Sequence, residues 1–284
     1  RPCFPSLMLK AHPVSESPSP AAAPMRPTLT IGVLTKNEAH RIEVCLRSAA
    51  FADEIILVDS GSTDDTVAIA TRLGAKVSIH ADWQGFAVQR NRVLAQATGD
   101  YIFFLDADEV ITPALQAEIE AAVRSNARAV WKIHWSVVAY GKELKHFLSQ
   151  SSLERMFRRD MLVEYRGVVH EEPILVDAEK GAPRHVFHAK LLHYSRETVR
   201  GSLEKLTQYS MLGAAKRAAA GKRGGVVRGL ASGLAIFIRL YIFRLGFTGG
   251  GAGFLFCFFI ALECFFRYAA LHYDRAHLTD KVGR

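Results

Sequence analysis

Residues 101–109, with the sequence YIFFLDADE, decide how the rest of the chain is interpreted. The first five are apolar or aromatic, and turn-forming Gly-Asp and Thr-Pro pairs flank the segment on either side. A short apolar run between such turns is typical of a buried strand in an α/β sheet. The carboxylates of Asp106, Asp108 and Glu109 follow at its end. Ligands of open α/β sheets lie outside the carboxyl ends of the strands, so these residues are candidate ligand contacts.

The spacing of the two aspartates indicates a site for a divalent cation. Two carboxylates ~4 Å apart repel each other by ~4 kcal/mol at an effective dielectric constant of ~20. A hard cation such as Mg²⁺ relieves that repulsion because it takes carboxylate oxygens as ligands. An acidic turn exposed to water has the same D-x-D pattern, so the segment alone leaves both interpretations open.

The charge of the chain is unevenly distributed. Residues 1–183 carry a net charge of −3, whereas residues 184–284 carry +11. This asymmetry predicts an acidic catalytic half and a basic half that faces an anionic partner. The cations of the basic half are interleaved with long aliphatic and aromatic runs, which favours lipid over nucleic acid, and we expect no nucleic-acid partner. The four cysteines are scattered without a C-x-x-C pair, which argues for a reducing compartment and against a disulfide framework or zinc site.

Strands and helices are predicted to alternate through the first half of the chain. Residues 1–27 are rich in Pro, Ser and Ala and are predicted to be a disordered tail, without the features of a cleavable signal peptide. The catalytic domain is predicted over residues 28–195. Its first strands (28–34, 54–58, 76–79 and the opening segment) alternate with helices, which is typical of a doubly wound sheet. Ser62 and Asp65 have the spacing of a capping box for the second helix. Three strands end in polar or acidic clusters.

A second carboxylate cluster lies beyond the predicted helix at residues 113–124. The motif RGVVHEEP at residues 166–173 contains His170, Glu171 and Glu172. It follows predicted strands at residues 130–140 and 153–158 and precedes another at residues 191–194. The two interpretations are a catalytic carboxylate and a surface turn with a solvated acid pair.

Residues 196–284, the C-terminal appendage, are predicted to be helical and to associate with a membrane. The first helix, residues 197–220, has an apolar stripe of four residues at helical spacing: Leu203, Leu206, Tyr209 and Leu212. Of the later apolar segments, only residues 252–266 are predicted to form a continuous helix, which contains Glu263 spaced to pair with Arg267. A spanning helix needs ~20 mostly apolar residues, and a central charge costs ~2.5–3.5 kcal/mol. We therefore expect helices that lie in one leaflet. The alternative is a buried hairpin or a homo-oligomer interface.

Taken together, the motifs resemble those of family 2 glycosyltransferases of the GT-A fold. The matching elements are TKNE at residues 35–38, DSGSTD at 59–64, QRN at 89–91 and DADE at 106–109. Within that family the chain is similar to bacterial lipopolysaccharide core glucosyltransferases, through DWQGF at 82–86, VHE at 169–171 and the GF…G…RYA pattern at 246–269. That pattern predicts Asp or a larger polar residue after Gly246 and Phe247. The segment TGGG at residues 248–251 departs from it.

The resemblance implies a fold, a donor and residue roles. The fold is a Rossmann-like, mostly parallel α/β sheet with flanking helices and a helical, membrane-associating appendage. Ten residues would bind the UDP-sugar: Thr35, Asn37, Glu38, Asp59, Ser60, Gly61, Arg90, Asn91, Asp106 and Ala107. Asp106 would face the ribose and the metal, and Asp108 would ligate Mg²⁺ or Mn²⁺, which neutralises charge on the leaving diphosphate. Glu171, beside His170, would be the general base, with Glu172 as the second candidate.

The implied reaction is inverting transfer of one sugar, with glucose expected, from a UDP-sugar to a lipid-linked saccharide such as the heptose of the lipopolysaccharide inner core. The Q-x-x-R-W motif of processive synthases is absent after Gln208, so we expect single addition. The expected location is the cytoplasmic side of the bacterial inner membrane, as a peripheral or monotopic protein. Two alternatives remain: a polyprenyl-phosphate sugar transferase, and a non-catalytic basic module that binds membranes.

Overall fold

Strands and helices alternate along the first half of the chain, as the sequence predicts. The computed structural model describes residues 26–149, 152–167 and 171–278. The strands are β1 (Leu29–Thr35), β2 (Glu54–Asp59), β3 (Lys76–Ile79), β4 (Tyr101–Asp106), β5 (Glu109–Val110), β6 (Val130–Ala139), β7 (Lys142–Glu143), β8 (Ser152–Arg158), β9 (Leu162–Arg166), β10 (Glu172–Leu175), β11 (Arg184–Val186) and β12 (Leu191–Arg196). The helices are α1 (Ile42–Ser48), α2 (Thr66–Arg72), α3 (Phe86–Gln96), α4 (Pro113–Arg124), α5 (Val199–Ala219), α6 (Val226–Ile238) and α7 (Gly250–Tyr273).

The predicted Rossmann-like α/β sheet with flanking helices is confirmed, and the sheet as a whole is mixed. Its strand order is β3-β2-β1-β4-β8-β6-β12-β5, with β7 and β11 also paired to β6. Strands β1 to β4 are parallel, and β8 runs antiparallel between β4 and β6. Strands β9 and β10 form a separate antiparallel hairpin. The sheet therefore combines a Rossmann-like parallel half with a mixed half, which brings late segments of the chain next to β4.

Strand β4 lies at the centre of the core, which explains its uninterrupted apolar sequence. Its first five side chains are fully buried. Alternate residues face opposite sides of the sheet, so Phe103 packs in the core on one side with Ile31, while Phe104 packs on the other with Val93 and Phe157. A strand covered on both faces has no position for a polar residue until it ends at Asp106.

The predicted capping box of the second helix is wrong. Helix α2 begins at Thr66, and Asp65 at its N-cap makes no side-chain capping hydrogen bond. The Ser62 hydroxyl donates to Asp59 instead and also accepts from the Asn37 backbone N–H at 2.8 Å. Asp64 accepts the Thr66 backbone N–H at 3.1 Å. The serine is occupied in joining two loops, so it cannot cap the helix.

The apolar stripe predicted for the first helix of the appendage is only partly packed, since Leu206 and Leu212 are half-buried. Leu203 and Tyr209 on α5 are exposed, and the buried positions hold small residues: Ser202, Ser210, Ala214 and Ala215. A Cβ added at Gly213 would lie 2.3 Å from Arg267 Nε on α7. The two helices approach too closely for leucines at their contact, so small side chains form it.

Helices α6 and α7 form a hairpin that closes through the TGGG segment. Gly250 has φ +63°, and a Cβ at Gly249 would lie 2.6 Å from Leu144 Cδ2. The TGGG segment, which departs from the family pattern, therefore forms a tight turn that packs on the catalytic domain. By length and composition alone, Val226–Phe243 and Gly246–Tyr273 are each able to cross a membrane.

Helix α7 is longer than predicted and is anchored to the sheet. The predicted pair between Glu263 and Arg267 is wrong, because Glu263 pairs with the buried guanidinium of Arg196 at the end of β12. The rings of Phe147 and Phe256 also meet edge to face at 5.3 Å. The appendage thus shares a core with the catalytic domain, and a buried ion pair fixes its position.

Candidate active site

Three polar strand ends meet at one edge of the parallel sheet, as the sequence predicts. Thr35 of β1 lies opposite Asp59 of β2, and Leu34 lies opposite Asp106 of β4. The carboxyl ends of adjacent parallel strands form the crevice in which such folds bind ligands. Residues from three separate motifs are therefore brought together by strand register alone.

The loops after β1 and β2 hold each other in place. Asn37 adopts a left-handed conformation with φ 54°, and its side-chain oxygen accepts the Thr63 backbone N–H at 2.8 Å. The Glu38 backbone N–H donates to the Thr66 hydroxyl at 2.8 Å. These contacts explain why polar residues are needed in both loops, since each loop supplies donors and acceptors to the other.

Asp59 is buried and organises its own turn. Its carboxylate accepts the backbone N–H groups of Gly61 at 2.8 Å and Ser62 at 2.7 Å. Ser60 is tied to both neighbours, because its backbone N–H donates to the Thr35 carbonyl at 2.9 Å and its hydroxyl accepts from Gln89 at 2.7 Å. The Thr35 hydroxyl is buried and bonds to no other described group. A buried hydroxyl without a partner is costly unless a ligand satisfies it.

Arg90 of α3 joins two carboxylates from distant parts of the chain. Its Nη2 lies 3.3 Å from Asp106 Oδ1, and its Nε lies 3.4 Å from Glu171 Oε1. The guanidinium lies 5.6 Å from the ring centroids of both Phe104 and Tyr165. The aromatic rings and the carboxylates hold this cation rigidly, and they bring Glu171 into the cluster.

Arg155 of β8 belongs to the same cluster, although the sequence did not single it out. Its Nη2 donates to Asp106 Oδ2 at 2.7 Å and to Glu109 Oε1 at 2.9 Å. Burial alone would raise the pKa of Asp106, but the Arg155 and Arg90 guanidiniums outweigh it and hold that pKa well below its usual value. Glu109 also accepts from Trp135 Nε1 at 2.7 Å and from the Asp106 backbone N–H at 2.9 Å. Burial raises the pKa of Glu109 to about 7 despite Arg155, with a contribution from repulsion by Asp106.

His193 of β12 is the second such residue. Its Nε2 lies 3.5 Å from Asp108 Oδ2, and its ring stacks on Trp135 with centroids 4.4 Å apart. Burial alone would lower the pKa of His193, but the hydrogen bond and charge of Asp108 raise it above its usual value. The same contact overcomes burial and lowers the pKa of Asp108. A histidine within an otherwise apolar predicted strand was the one signal of this role in the sequence.

Lys205 brings the appendage to the same cluster. It lies on α5 and donates to the Ser195 carbonyl at 2.6 Å. Burial lowers its pKa, while the negative charge of Asp108 acts in the opposite direction. The cluster of carboxylates is therefore bounded on one side by the first helix of the appendage.

The remaining predicted residues are placed differently. Ala107 is buried in the core, and its backbone N–H donates to the Leu34 carbonyl at 3.2 Å. The Asn91 side-chain amide donates to the Tyr165 carbonyl at 3.0 Å and accepts the Tyr165 backbone N–H at 2.7 Å, so it joins α3 to β9. Glu172 is exposed at the start of β10. His170 lies outside the described residues.

The donor set around Asp108 fits a divalent cation. Across residues 26–149, 152–167 and 171–278, no group of three or more His, Cys, Asp and Glu side chains encloses a metal position. Asp108 and His193 form a neighbouring carboxylate and imidazole pair, whereas both oxygens of Asp106 are bonded to guanidinium groups. Mg²⁺ is usually held by one or two protein carboxylates together with substrate phosphates. Neutral imidazole is a common metal ligand in proteins. Asp108 and His193 therefore fit this pattern better than the predicted pair of Asp106 and Asp108.

Comparison with known proteins gives one family. The family model described as glycosyl transferase family 2 matches residues 30–170. The glycosyltransferase SunS of Bacillus subtilis is 36% identical over 151 residues, which cover 52% of this chain and 35% of SunS. An uncharacterized glycosyltransferase of Rickettsia felis is 28% identical over 261 residues, covering 89% of this chain and 92% of that protein. The chain spans about a third of the length of SunS.

Among solved structures, glucosyl-3-phosphoglycerate synthase from Mycobacterium tuberculosis, in complex with Mn²⁺, UDP and phosphoglyceric acid, is similar with a TM-score of 0.45. Its sequence is 20% identical, and the match covers 64% of this chain and 74% of that one.

Proposed function

The chain belongs to glycosyl transferase family 2, and from that premise we propose that it transfers one glucose from UDP-glucose to a lipid-linked saccharide, with inversion at the anomeric carbon. The observation that carries the proposal is the meeting of Thr35, Asp59 and Asp106 at one edge of the sheet, with Glu171 linked to them through Arg90. A donor pocket and a separate carboxylate are the two parts that sugar transfer requires.

The donor half of the site suits a uridine nucleotide. Asp59 is buried at a strand end, and a carboxylate can accept the ring N–H of uracil. The buried Thr35 hydroxyl has no described partner and is available to the same base or its ribose. Arg90 and Arg155 hold Asp106 ionised, which suits an acceptor for the ribose hydroxyls. Asn91 has a positioning role, since its amide is bonded to the backbone of Tyr165.

Asp108 and His193 would hold Mg²⁺ or Mn²⁺ beside the diphosphate. When bound, such a cation stabilises the negative charge that develops on the leaving UDP. Lys205 supplies a further positive charge near Asp108. Asp106 is assigned to positioning the donor, because its carboxylate is bonded to Arg90 and Arg155.

Glu171 is the proposed general base, which takes the proton of the acceptor hydroxyl. Its carboxylate lies 3.4 Å from Arg90 Nε, and Arg90 in turn contacts Asp106, so Glu171 adjoins the donor cluster. Glu172 is the weaker candidate because it is exposed at the start of the β9–β10 hairpin. A general base must reach the acceptor oxygen directly or through one water. Of these two glutamates, only Glu171 adjoins the donor cluster.

The acceptor is proposed to be held by a membrane. Large apolar residues on α6 are exposed at helical spacing, including Val227, Leu230 and Leu234. An apolar helix face with cations at its ends suits a helix lying in the interface of a bilayer. This exposed face supports membrane attachment, and the resemblance to lipopolysaccharide core glucosyltransferases suggests the rest of the proposal: the cytoplasmic side of the bacterial inner membrane as the location and the heptose of a lipopolysaccharide inner core as the acceptor.

A donor screen tests the proposal. The purified protein is incubated with Mn²⁺ and each of several UDP-sugars and GDP-sugars, and release of the nucleotide is measured with and without core lipopolysaccharide. The proposal predicts UDP release that requires UDP-glucose and increases with the acceptor. Release that polyprenyl phosphate stimulates in place of core lipopolysaccharide would identify the alternative transferase. No thermal stabilisation by UDP and metal would favour a non-catalytic membrane module.

A further inference from the structure

A basic site lies where α5, α6 and α7 meet. Two adjoining cavities of about 510 and 570 Å³ share Arg223 and Arg228 as lining residues. The cations that line one or both are Lys216, Arg217, Lys222, Arg223, Arg228 and Arg275. No Asp or Glu lines either cavity. We call this set of six cations and the two cavities between them the basic cavity.

Among the described residues, no carboxylate pairs with the cations of the basic cavity. None of the six forms a salt bridge within the described part of the chain. Arg275 instead donates to the Lys222 carbonyl at 2.9 Å, and Arg228 donates to the Arg223 carbonyl at 3.0 Å. Arg217 lies over the Tyr268 ring at 5.2 Å. These contacts tie the side chains to carbonyls and a ring and leave their charges unneutralised, so an anion bound among them would gain charge-assisted contacts.

The backbone that forms the basic cavity is tightly packed. A Cβ added at Gly224 would lie 2.4 Å from the Tyr268 carbonyl and 2.6 Å from the His272 backbone N. The Gly225 backbone N–H donates to the same Tyr268 carbonyl at 2.9 Å. The segment between α5 and α6 is thus pressed against α7, which fixes the backbone that carries the exposed side chains of Lys222, Arg223 and Arg228.

The apolar neighbours of the basic cavity identify its occupant. Helix α6 leads away from the cavity with Val227, Leu230 and Leu234 exposed at 80%, 59% and 63%. Their spacing places these side chains along one face of the helix. A soluble phosphate compound or a nucleic acid would match the cations and leave this apolar face in water. A phospholipid matches both, because its headgroup carries the charge and its acyl chains are apolar.

We propose that the basic cavity binds the phosphate of an anionic phospholipid headgroup, with the acyl chains along the exposed face of α6. This site would fix the depth and orientation of the appendage in the bilayer. It does not depend on which sugar or acceptor the enzyme uses.

The test compares two variants of equal charge in the full chain. The cavity variant carries Lys222→Gln, Arg223→Gln and Arg228→Gln. The control variant carries Arg47→Gln, Arg72→Gln and Arg124→Gln, which are exposed arginines of the catalytic domain. Binding to vesicles of phosphatidylcholine, with or without phosphatidylglycerol, is measured by sedimentation at ~0.1 M salt, where charges more than ~10 Å apart are screened. UDP binding and thermal melting show whether each variant is folded.

Each Lys or Arg near an anionic surface strengthens binding about fivefold, so the cavity variant is expected to bind phosphatidylglycerol vesicles on the order of 100-fold more weakly. The control variant should stay within about threefold of the wild type, and binding to pure phosphatidylcholine should be similar for all three proteins. An equal loss in both variants, or a loss below about threefold in the cavity variant, would overturn the proposal.

Hydrogen exchange of the wild-type protein locates the contact. Phosphatidylglycerol vesicles should protect residues 221–230 from exchange, and inorganic phosphate alone should not. Protection by inorganic phosphate without vesicles would overturn the lipid assignment. Vesicle binding that survives in the cavity variant while binding to a single-stranded RNA is lost would replace lipid by nucleic acid.

Discussion

Replacing Arg155 by methionine tests how the donor site is held together. The guanidinium donates to Asp106 at 2.7 Å and to Glu109 at 2.9 Å, and both Arg155 and Glu109 are almost entirely buried. Removing one partner of a buried ion pair costs about 3–5 kcal/mol, because it leaves a buried charge uncompensated. Glu109 would keep only the neutral donors Trp135 and the Asp106 backbone N–H. We expect Arg155→Met to lower the free energy of unfolding by about 3–5 kcal/mol.

A second substitution separates lost charge from lost packing. Without Arg155, Glu109, whose pKa burial already raises to about 7, either stays charged without a partner or takes up a proton. Glu109→Gln in the Arg155→Met background removes that carboxyl, so about 1–3 kcal/mol should be recovered, the usual range of coupling between contacting residues. Arg158→Met is a matched control on the same strand. Arg158 is more exposed than Arg155, pairs with Asp160 at 3.5 Å and donates to the Asn126 carbonyl at 3.2 Å. Because these contacts involve no fully buried charge, its loss should cost about 1–2 kcal/mol, less than the loss of Arg155.

Urea denaturation followed by circular dichroism measures these differences, provided that the m-values of the variants agree. A loss below about 1 kcal/mol for Arg155→Met would show that the Arg155 network is not what stabilises this edge of the sheet. A double variant no more stable than Arg155→Met would assign the loss to packing.

Three further predictions follow from named contacts. Glu171→Gln should lower the rate of transfer by about 10²- to 10⁴-fold and leave UDP affinity unchanged. Glu172→Gln should be nearly as active as the wild type. The reverse result would identify Glu172 as the base. Asp108→Asn should abolish the dependence of UDP binding on Mn²⁺ in calorimetric titrations, and an unchanged dependence would exclude Asp108 as a ligand. Glu54 is paired with Lys76 at 2.6 Å and hydrogen-bonded to Thr30, and these contacts overcome burial and lower its pKa to about 2. The stabilisation by ionised Glu54 is present above its unfolded-state pKa and is lost as the pH falls toward its folded-state pKa. In melting experiments, the wild type should therefore be more stable than Glu54→Gln by at most about 3 kcal/mol near pH 7, and this difference should be smaller by about 2 kcal/mol near pH 3. A stability difference that does not change with pH would contradict this prediction.

The donor half of the site could be predicted from the sequence because it depends on local patterns. The apolar run before Asp106 identifies a buried strand, and parallel strands place their carboxyl ends at one edge. The sequence therefore predicts that Thr35, Asp59 and Asp106 lie at the same edge of the sheet, and they do.

The other half depends on pairing between distant segments. Arg155 reaches Asp106 because β8 inserts antiparallel beside β4, and His193 reaches Asp108 because β12 lies beside β6 and β5. Neither pairing leaves a periodic signal, so neither residue was identified. The guanidinium partners of Asp106 could not be predicted for the same reason.

The appendage shows how tertiary contacts override helical spacing. Glu263 and Arg267 lie one helical turn apart, yet Glu263 bonds to Arg196 of the catalytic domain. The leucines of α5 have the spacing of a core stripe, yet close packing on α7 selects serine and alanine. Deleting residues 226–284 would remove Glu263 from Arg196 and Phe256 from Phe147, so it would disturb the catalytic domain as well as membrane binding. Substitutions in the basic cavity are therefore the better test of membrane binding.

Transfer of labelled sugar tests the central claim most directly. Wild-type protein and Glu171→Gln are incubated with UDP-[¹⁴C]glucose, Mn²⁺ and membranes containing core lipopolysaccharide, and the lipid-linked saccharides are extracted and counted. We predict label in that fraction with the wild type, in β-linkage, and none above background with Glu171→Gln, which still binds UDP. Label found only in polyprenyl phosphate, or equal incorporation by the two proteins, would contradict the account.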